Sequence, residues 1–188
     1  LFLLFLTAFV NGGLKAEILF QDDFEGGALK PEWTITKTND GKVSVRNDHG
    51  PASGQGHLVF EDAVDDATFS VAEATMSVNL SNKKRVVLTF KAKSLGNDPH
   101  DAYVYWYGTR NYDGVAISGE GGASWLPVHS LATTGSDWET ISLNLDEAIV
   151  YSGYENSNIL IRFSVYDNAS VPVDGIAIDD VSISAEPD

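Results

Sequence analysis

There is no cysteine anywhere in the 188-residue chain, so disulfide staples and thiolate metal sites are excluded from the start. Basic residues are scarce as well. Twelve Lys and Arg stand against 27 Asp and Glu, a formal net charge of -15. A surface of that sign repels phosphate backbones and anionic bilayers, which removes nucleic-acid binding from the candidate functions. From Glu17 onward no segment has the 3.6-residue period of an amphipathic helix of useful length. Sequence motifs of catalysis are missing too: no His-Glu-x-x-His, no Gly-x-Ser-x-Gly and no phosphate loop. The four histidines, His49, His57, His100 and His129, have no metal-ligand spacing.

What the chain does contain is apolar in short pieces. Its longest apolar run, Leu1 to Val10, is too short to span a bilayer. It is followed by small and polar residues up to Ala16, as in the hydrophobic segment and cleavage site of a secretory signal. Residues 1–16 are therefore expected to be a signal peptide whose start is missing. Residues 17–184 are expected to form one secreted module, and residues 185–188 the start of a linker to further domains of the same polypeptide. That length suffices for a single sizeable core.

Between Ile18 and Ser184 about a dozen short runs alternate or stay apolar, separated by Gly, Asn, Asp and Pro. Some alternations assign faces. Ala74, Met76, Val78 and Leu80, then Val86, Leu88, Phe90 and Ala92, then Ile159, Ile161, Phe163 and Val165 are expected in the core. Asn82-Lys83-Lys84, Asp113-Gly114 and Gly119-Glu120-Gly121-Gly122 mark hairpins, and Trp125, just after the last of these, is expected to seal the core edge. Asp146 to Tyr154 is the one helical turn. The fold class is all-β, an antiparallel two-sheet sandwich.

The most informative stretch is Gly175-Ile176-Ala177-Ile178-Asp179-Asp180-Val181-Ser182-Ile183. Its apolar residues sit at even positions up to Ile178 and at odd positions from Val181, so the two-residue period slips once, at the two aspartates. A β-bulge there turns adjacent carboxylates toward one site. A second acidic turn, Asp22-Asp23-Phe24-Glu25, lies near the other end, and the two converge if the first and last strands are neighbours. Carboxylates arriving from several turns suit calcium, which takes six to eight oxygen ligands in irregular loops. Tyr103, Tyr105 and Tyr107 share one face of an aromatic strand and are candidates for stacking on a ligand.

Laid out in order, these stretches resemble the MAM domain and the MAM-like jelly rolls of secreted bacterial proteins. The resemblance rests on Asp23-Phe24-Glu25 followed by Trp33, on Asp48-His49-Gly50-Pro51 leading into Ser53-Gly54-Gln55-Gly56-His57-Leu58, on Val87-Leu88-Thr89-Phe90 and on Gly175 to Val181. It implies a concanavalin-like jelly roll without catalytic activity, serving adhesion to or recognition of a cell-surface or matrix protein or glycan. It also implies an ion, calcium or alternatively sodium, held by Glu25, Asp48, Asp62, Asp179 and Asp180. The paired cysteines of animal members are absent, which favours the bacterial type. The opening through Trp33 and Phe90-Lys91-Ala92-Lys93 also resemble carbohydrate-binding modules of galactose-binding-like fold. That makes a glycan-binding module of a secreted hydrolase the alternative reading. A glycoside hydrolase using Asp179 and Asp180 is the third.

Overall fold

The alternating runs become two stacked antiparallel sheets in the computed structural model, which describes residues 15–100, 104–106 and 109–188. One sheet has the order β11 (Glu139–Asn144), β6 (Lys83–Ser94), β13 (Ile176–Pro187), β4 (His57–Asp62) and β3 (Gly41–Arg46), with β1 (Glu17–Asp22) also pairing with β13. The other has the order β10 (Leu126–Ser130), β9 (Gly114–Ser118), β12 (Asn158–Asp167), β5 (Ser70–Asn79) and β2 (Thr34–Lys37). A short helix, α1 (Asp146–Ser152), follows β11 where the helical turn was expected. A two-stranded hairpin, β7 (Val104–Trp106) and β8 (Thr109–Asn111), stands apart from both sheets with β8 against β12.

The expected core residues are all buried. Leu88 and Phe90 on the six-stranded sheet face Met76, Ile161 and Phe163 on the other. Phe90 and Phe163 meet edge to face at 5.0 Å across the gap, and burying side chains of this size contributes roughly 1.5–3 kcal/mol each. Trp33 closes one end, packed on Phe20 and Phe24, with its indole N–H donated to the buried Asp22 at 2.8 Å.

The parity slip is a bulge. In the β13–β6 ladder Asp179 faces Lys91 and Ser182 faces Thr89, so Asp180 and Val181 together oppose Phe90 alone, and Asp180 takes φ 50°. Ile178 and Val181, on either side of it, both remain buried. At the same point β13 changes its other neighbour. Ile176 to Ile178 pair with β4, and Val181 to Ala185 pair with β1. First and last strands are therefore adjacent. β13 also continues three residues past Ser184, the expected end of the module, and Ala185 is fully buried opposite Glu17.

Candidate functional site

Six strands of one sheet and five of the other leave two outward faces, and the chain treats them differently. Residues 47–56 are strapped across the face of the six-stranded sheet. Lys93 reaches the carbonyls of His49 and Gly50 while its ammonium lies 4.9 Å from the centre of the Trp138 ring, and Trp138 donates its indole N–H to Gly50 at 2.8 Å. The strap then runs between the acidic turns. Asp179 Oδ2 accepts the N–H groups of Ala52 (2.9 Å) and Ser53 (3.1 Å), Asp180 accepts the Ser53 hydroxyl (2.7 Å), and Glu25 accepts the N–H groups of Gln55 and Gly56 at 2.7 Å. Gly54 has to be glycine here: it sits at φ +55°, and a Cβ would lie 2.2 Å from the Glu25 carboxylate.

Three of the five expected ion ligands thus meet on one loop and two do not. Asp48 pairs with Arg46, whose guanidinium holds its carboxyl down at about 2. Asp62 lies at the far end of β4, where its Oδ1 accepts the N–H of Val64. Among the described residues no three His, Asp or Glu side chains are arranged to hold a metal ion. At the junction of β1 and β13 the carboxylate oxygens are turned toward loop amides, with Lys91 paired to Asp180 at 2.8 Å. Burial nonetheless pushes the Asp179 carboxyl up, helped by Asp180, against the pull of its N–H donors.

The outward face of the five-stranded sheet is built otherwise. Ile161 and Phe163 of β12 point into the core, so Arg162 and Ser164 point out, yet both are buried. Arg162 pairs with Glu73 of β5 at 2.9 Å, with only 11% and 12% of the side chains exposed. Burial pushes the Glu73 carboxyl up, opposed by Arg162. The guanidinium carbon lies 4.1 Å from the centre of the Trp125 ring, a cation–π contact. Trp125 therefore covers a charged pair on the outside of the sheet and does not seal the core as expected.

The placement of Trp125 is local chemistry. Ser118 Oγ, at the end of β9, accepts the N–H groups of Glu120 (3.2 Å) and Gly122 (3.0 Å), folding the glycine loop back over the sheet. Gly122 is at φ +88°, and a Cβ there would be in ordinary contact with Trp125 and Leu160. Around this centre lie Thr75, Ser77, Thr34 and Thr36, and at the end of the face Phe69 stacks on Tyr166 at 4.6 Å. Of the aromatic strand, Tyr105 is on β7, whereas Tyr103 and Tyr107 lie outside the described residues. The legible hint of this site was a lone arginine in the central strand Leu160-Ile161-Arg162-Phe163, on the face opposite the apolar set. An arginine and a glutamate withdrawn from water on a sheet's outer face, under an indole ring, make a polar and aromatic platform able to orient hydroxyl-rich ligands.

No family model and no curated protein matches the chain. Solved structures do. The chain is similar to a family 61 carbohydrate-binding module in complex with β-1,4-galactotriose, at 19% identity and a TM-score of 0.55 over 87% of this chain and 94% of that one. It is similar to the K3 cleaved adhesin domain of Lys-gingipain from Porphyromonas gingivalis, at 14% identity and a TM-score of 0.55 over 90% and 99%. It is also similar to a xylan-binding domain of carbohydrate-binding family 22, at 12% identity and a TM-score of 0.51 over 90% and 95%. Identities this low establish a shared β-sandwich fold, and function has to be argued from the site.

Proposed function

We propose that this chain is a non-catalytic carbohydrate-binding module of an extracellular protein, with its ligand surface on the outward face of the five-stranded sheet. The observation that carries the reading is the Glu73–Arg162 pair buried beneath Trp125. A purely structural face has little reason to withdraw a charged pair from water, because apolar residues of similar volume would pack there at no loss of stability. A glycan site can use such a pair, held rigid to bind sugar hydroxyls, with an indole ring for a sugar face. The 47–56 strap occupies the outward face of the other sheet. Its neighbours in fold include modules whose names record β-1,4-galactotriose and xylan as ligands. Tyr105, on the β7 strand whose partner β8 contacts β12, is kept as a candidate ligand residue.

Affinity electrophoresis in gels containing soluble β-1,4-galactan or xylan, followed by a neutral glycan array, tests the proposal. The wild-type chain is expected to be retained by at least one glycan, and Trp125→Ala, folded by circular dichroism, is expected to lose about tenfold or more in affinity, the loss of one stacking contact of about 1.5 kcal/mol. No retention on any glycan, or retention unchanged in Trp125→Ala, removes the reading. The adhesion reading has one observation of its own, the similarity to a gingipain adhesin domain. It predicts capture of a cell-surface protein by a surface that Trp125→Ala leaves intact.

Calcium at the junction of β1 and β13 is a separate proposal. It is supported by the bonds of Glu25, Asp179 and Asp180 to one loop, residues 52–56, with Lys91 paired to Asp180, and by the undercompensated burial of Asp179. Binding there requires the carboxylates to turn part of their coordination from loop amides to the ion.

A further inference from the structure

A second aromatic feature stands on the outward face of the five-stranded sheet, apart from the centre formed by Glu73, Arg162 and Trp125. Phe69, the residue before β5, is 39% exposed, and its ring lies 4.6 Å from that of Tyr166, near the end of β12, with the planes 11° from parallel. Neither ring belongs to the core. We propose that this stack is a second sugar-binding subsite, and that the ligand is an unbranched, neutral oligosaccharide chain lying along β12 from Trp125 to Phe69. The inference rests on the reading of this face as a glycan surface and adds the length, shape and charge of the glycan.

The spacing follows from the strands. Side chains two apart on β12 share a face, so Arg162, Ser164 and Tyr166 all point outward. Opposite them on β5 stand Thr75, Glu73 and Val71, and Phe69 continues that row. Four residues advance a strand by roughly 13 Å, so the Tyr166 position is that far along the face from Arg162, which lies under Trp125. Between the two aromatic ends the face is polar: Ser164 stands opposite Glu73, whose carboxylate holds the Arg162 guanidinium at 2.9 Å. The Phe69 end is also fixed from several sides. Asn39 donates its side-chain amide to the Phe69 carbonyl at 2.8 Å, and Val71 donates its N–H to the Thr38 hydroxyl at 3.0 Å. Thr68 donates its N–H to Asp66 at 2.8 Å, and Tyr166 donates its own to Asp113 at 2.7 Å. The exposed ring is thus presented from a fixed backbone, which leaves little ordering for a ligand to impose.

The order along the face is therefore ring, buried ion pair, hydroxyl, ring. A single pyranose is too short to touch both ends, whereas a chain of a few sugars presents an apolar ring face to each stack and its hydroxyls to the polar middle. Branches would collide with the row of side chains on either strand, so the chain that fits is linear. Its charge is set as well. Glu73 and Arg162 cancel one another, Asp65 and Asp66 stand in the loop before Phe69, and the whole chain carries -15. No cation is left uncancelled at this centre for a uronate or sulfate group, and the surrounding field repels one.

The test is isothermal titration calorimetry of the full chain with oligosaccharide ladders, from the monosaccharide to about the hexasaccharide, of β-1,4-galactan, of xylan and of any further glycan that retains the chain. Affinity is expected to rise with length until the ligand spans both stacks and then to level off, with the spanning chain bound about tenfold or more tighter than the disaccharide. Phe69→Ala is expected to bring the long chains down toward the disaccharide and so remove the step, while Phe69→Tyr, which keeps a ring, retains it. If Phe69→Ala fails to fold, Phe69→Leu, which keeps an apolar side chain against Tyr166 but offers no ring face, must show the same loss of the step. Glycan binding of equal strength at every length, or a step that survives the loss of the Phe69 ring, overturns the second subsite and leaves the glycan reading standing. Tighter binding of an acidic chain than of a neutral one overturns the assignment of charge. No affinity for any glycan removes the reading and the inference together.

Discussion

Replacing Glu73 and Arg162 one at a time and then together tests whether their pairing serves stability or the ligand face. Each side chain is nearly nine-tenths buried and the charges meet at 2.9 Å. Glu73→Met leaves a guanidinium withdrawn from water with no counter-charge, and Arg162→Met leaves a buried carboxylate; either loss costs about 3–5 kcal/mol. In Glu73→Met the Trp125 ring at 4.1 Å still faces the cation and returns about 1 kcal/mol, so this variant should be the milder of the two. At about 2–4 °C per kcal/mol for a domain of this length, the single variants should melt roughly 6–20 °C lower. The double variant places two apolar side chains of similar volume on the face, and its stability should return to within about 1 kcal/mol of wild type or exceed it. Urea denaturation, with midpoint and slope compared across the four proteins, reads the cycle. The expected signature is a folded, stable double variant that no longer binds glycan. Single variants costing under about 1 kcal/mol, or a double variant as unstable as the sum, would refute the account of the pair.

Other perturbations probe other parts of the sandwich. His57 is fully buried under the 47–56 strap with neither ring nitrogen partnered among the described residues, and burial, with Lys93 nearby, pushes it down to about 4. The unfolded chain takes up a proton at 6.5 that the folded chain refuses until about 4, so stability is lost on acidification across that window. The loss amounts to about 3 kcal/mol, and His57→Phe should flatten that limb of a denaturation profile; an unchanged limb would assign the loss to carboxyl groups. For the junction of β1 and β13, thermal melts of the full chain in calcium and in excess chelator are expected to differ by several degrees if the ion is bound well below the calcium concentration used. Identical melts would leave the loop amides as the sole partners of Glu25 and Asp179 and withdraw calcium from the proposal.

Much of this fold was written in short-range patterns. The alternation in 74–80, 86–92 and 159–165 named core residues because a strand's side chains must take opposite faces, whatever lies beyond them. The parity slip at Asp179-Asp180 exposed the bulge for the same reason, since an extra residue shifts every later side chain by one. The sequence marks an aromatic strand over 103–107, whereas the pairing of Val104–Trp106 with Thr109–Asn111 is not legible in so short and polar a run. The site was less legible. Asp48 and Asp62 were grouped with Glu25 and Asp179 by resemblance, but one is claimed by Arg46 two residues away and the other sits at the opposite end of its strand.

By itself, then, the sequence determined the class of fold, its core and the kink in its last strand, since all three follow from the period of the backbone and the polarity of neighbouring residues. Which charges meet was decided only by tertiary structure. Glu73 and Arg162 are 89 positions apart, and His100 and Asp174 are 74 apart; their contacts depend on strand order and on loops crossing between elements. Trp125 shows the difference most simply. Its apolar ring predicts burial against something, and only the fold of the Ser118 loop decides that this something is a charged pair on the outer face and not the core.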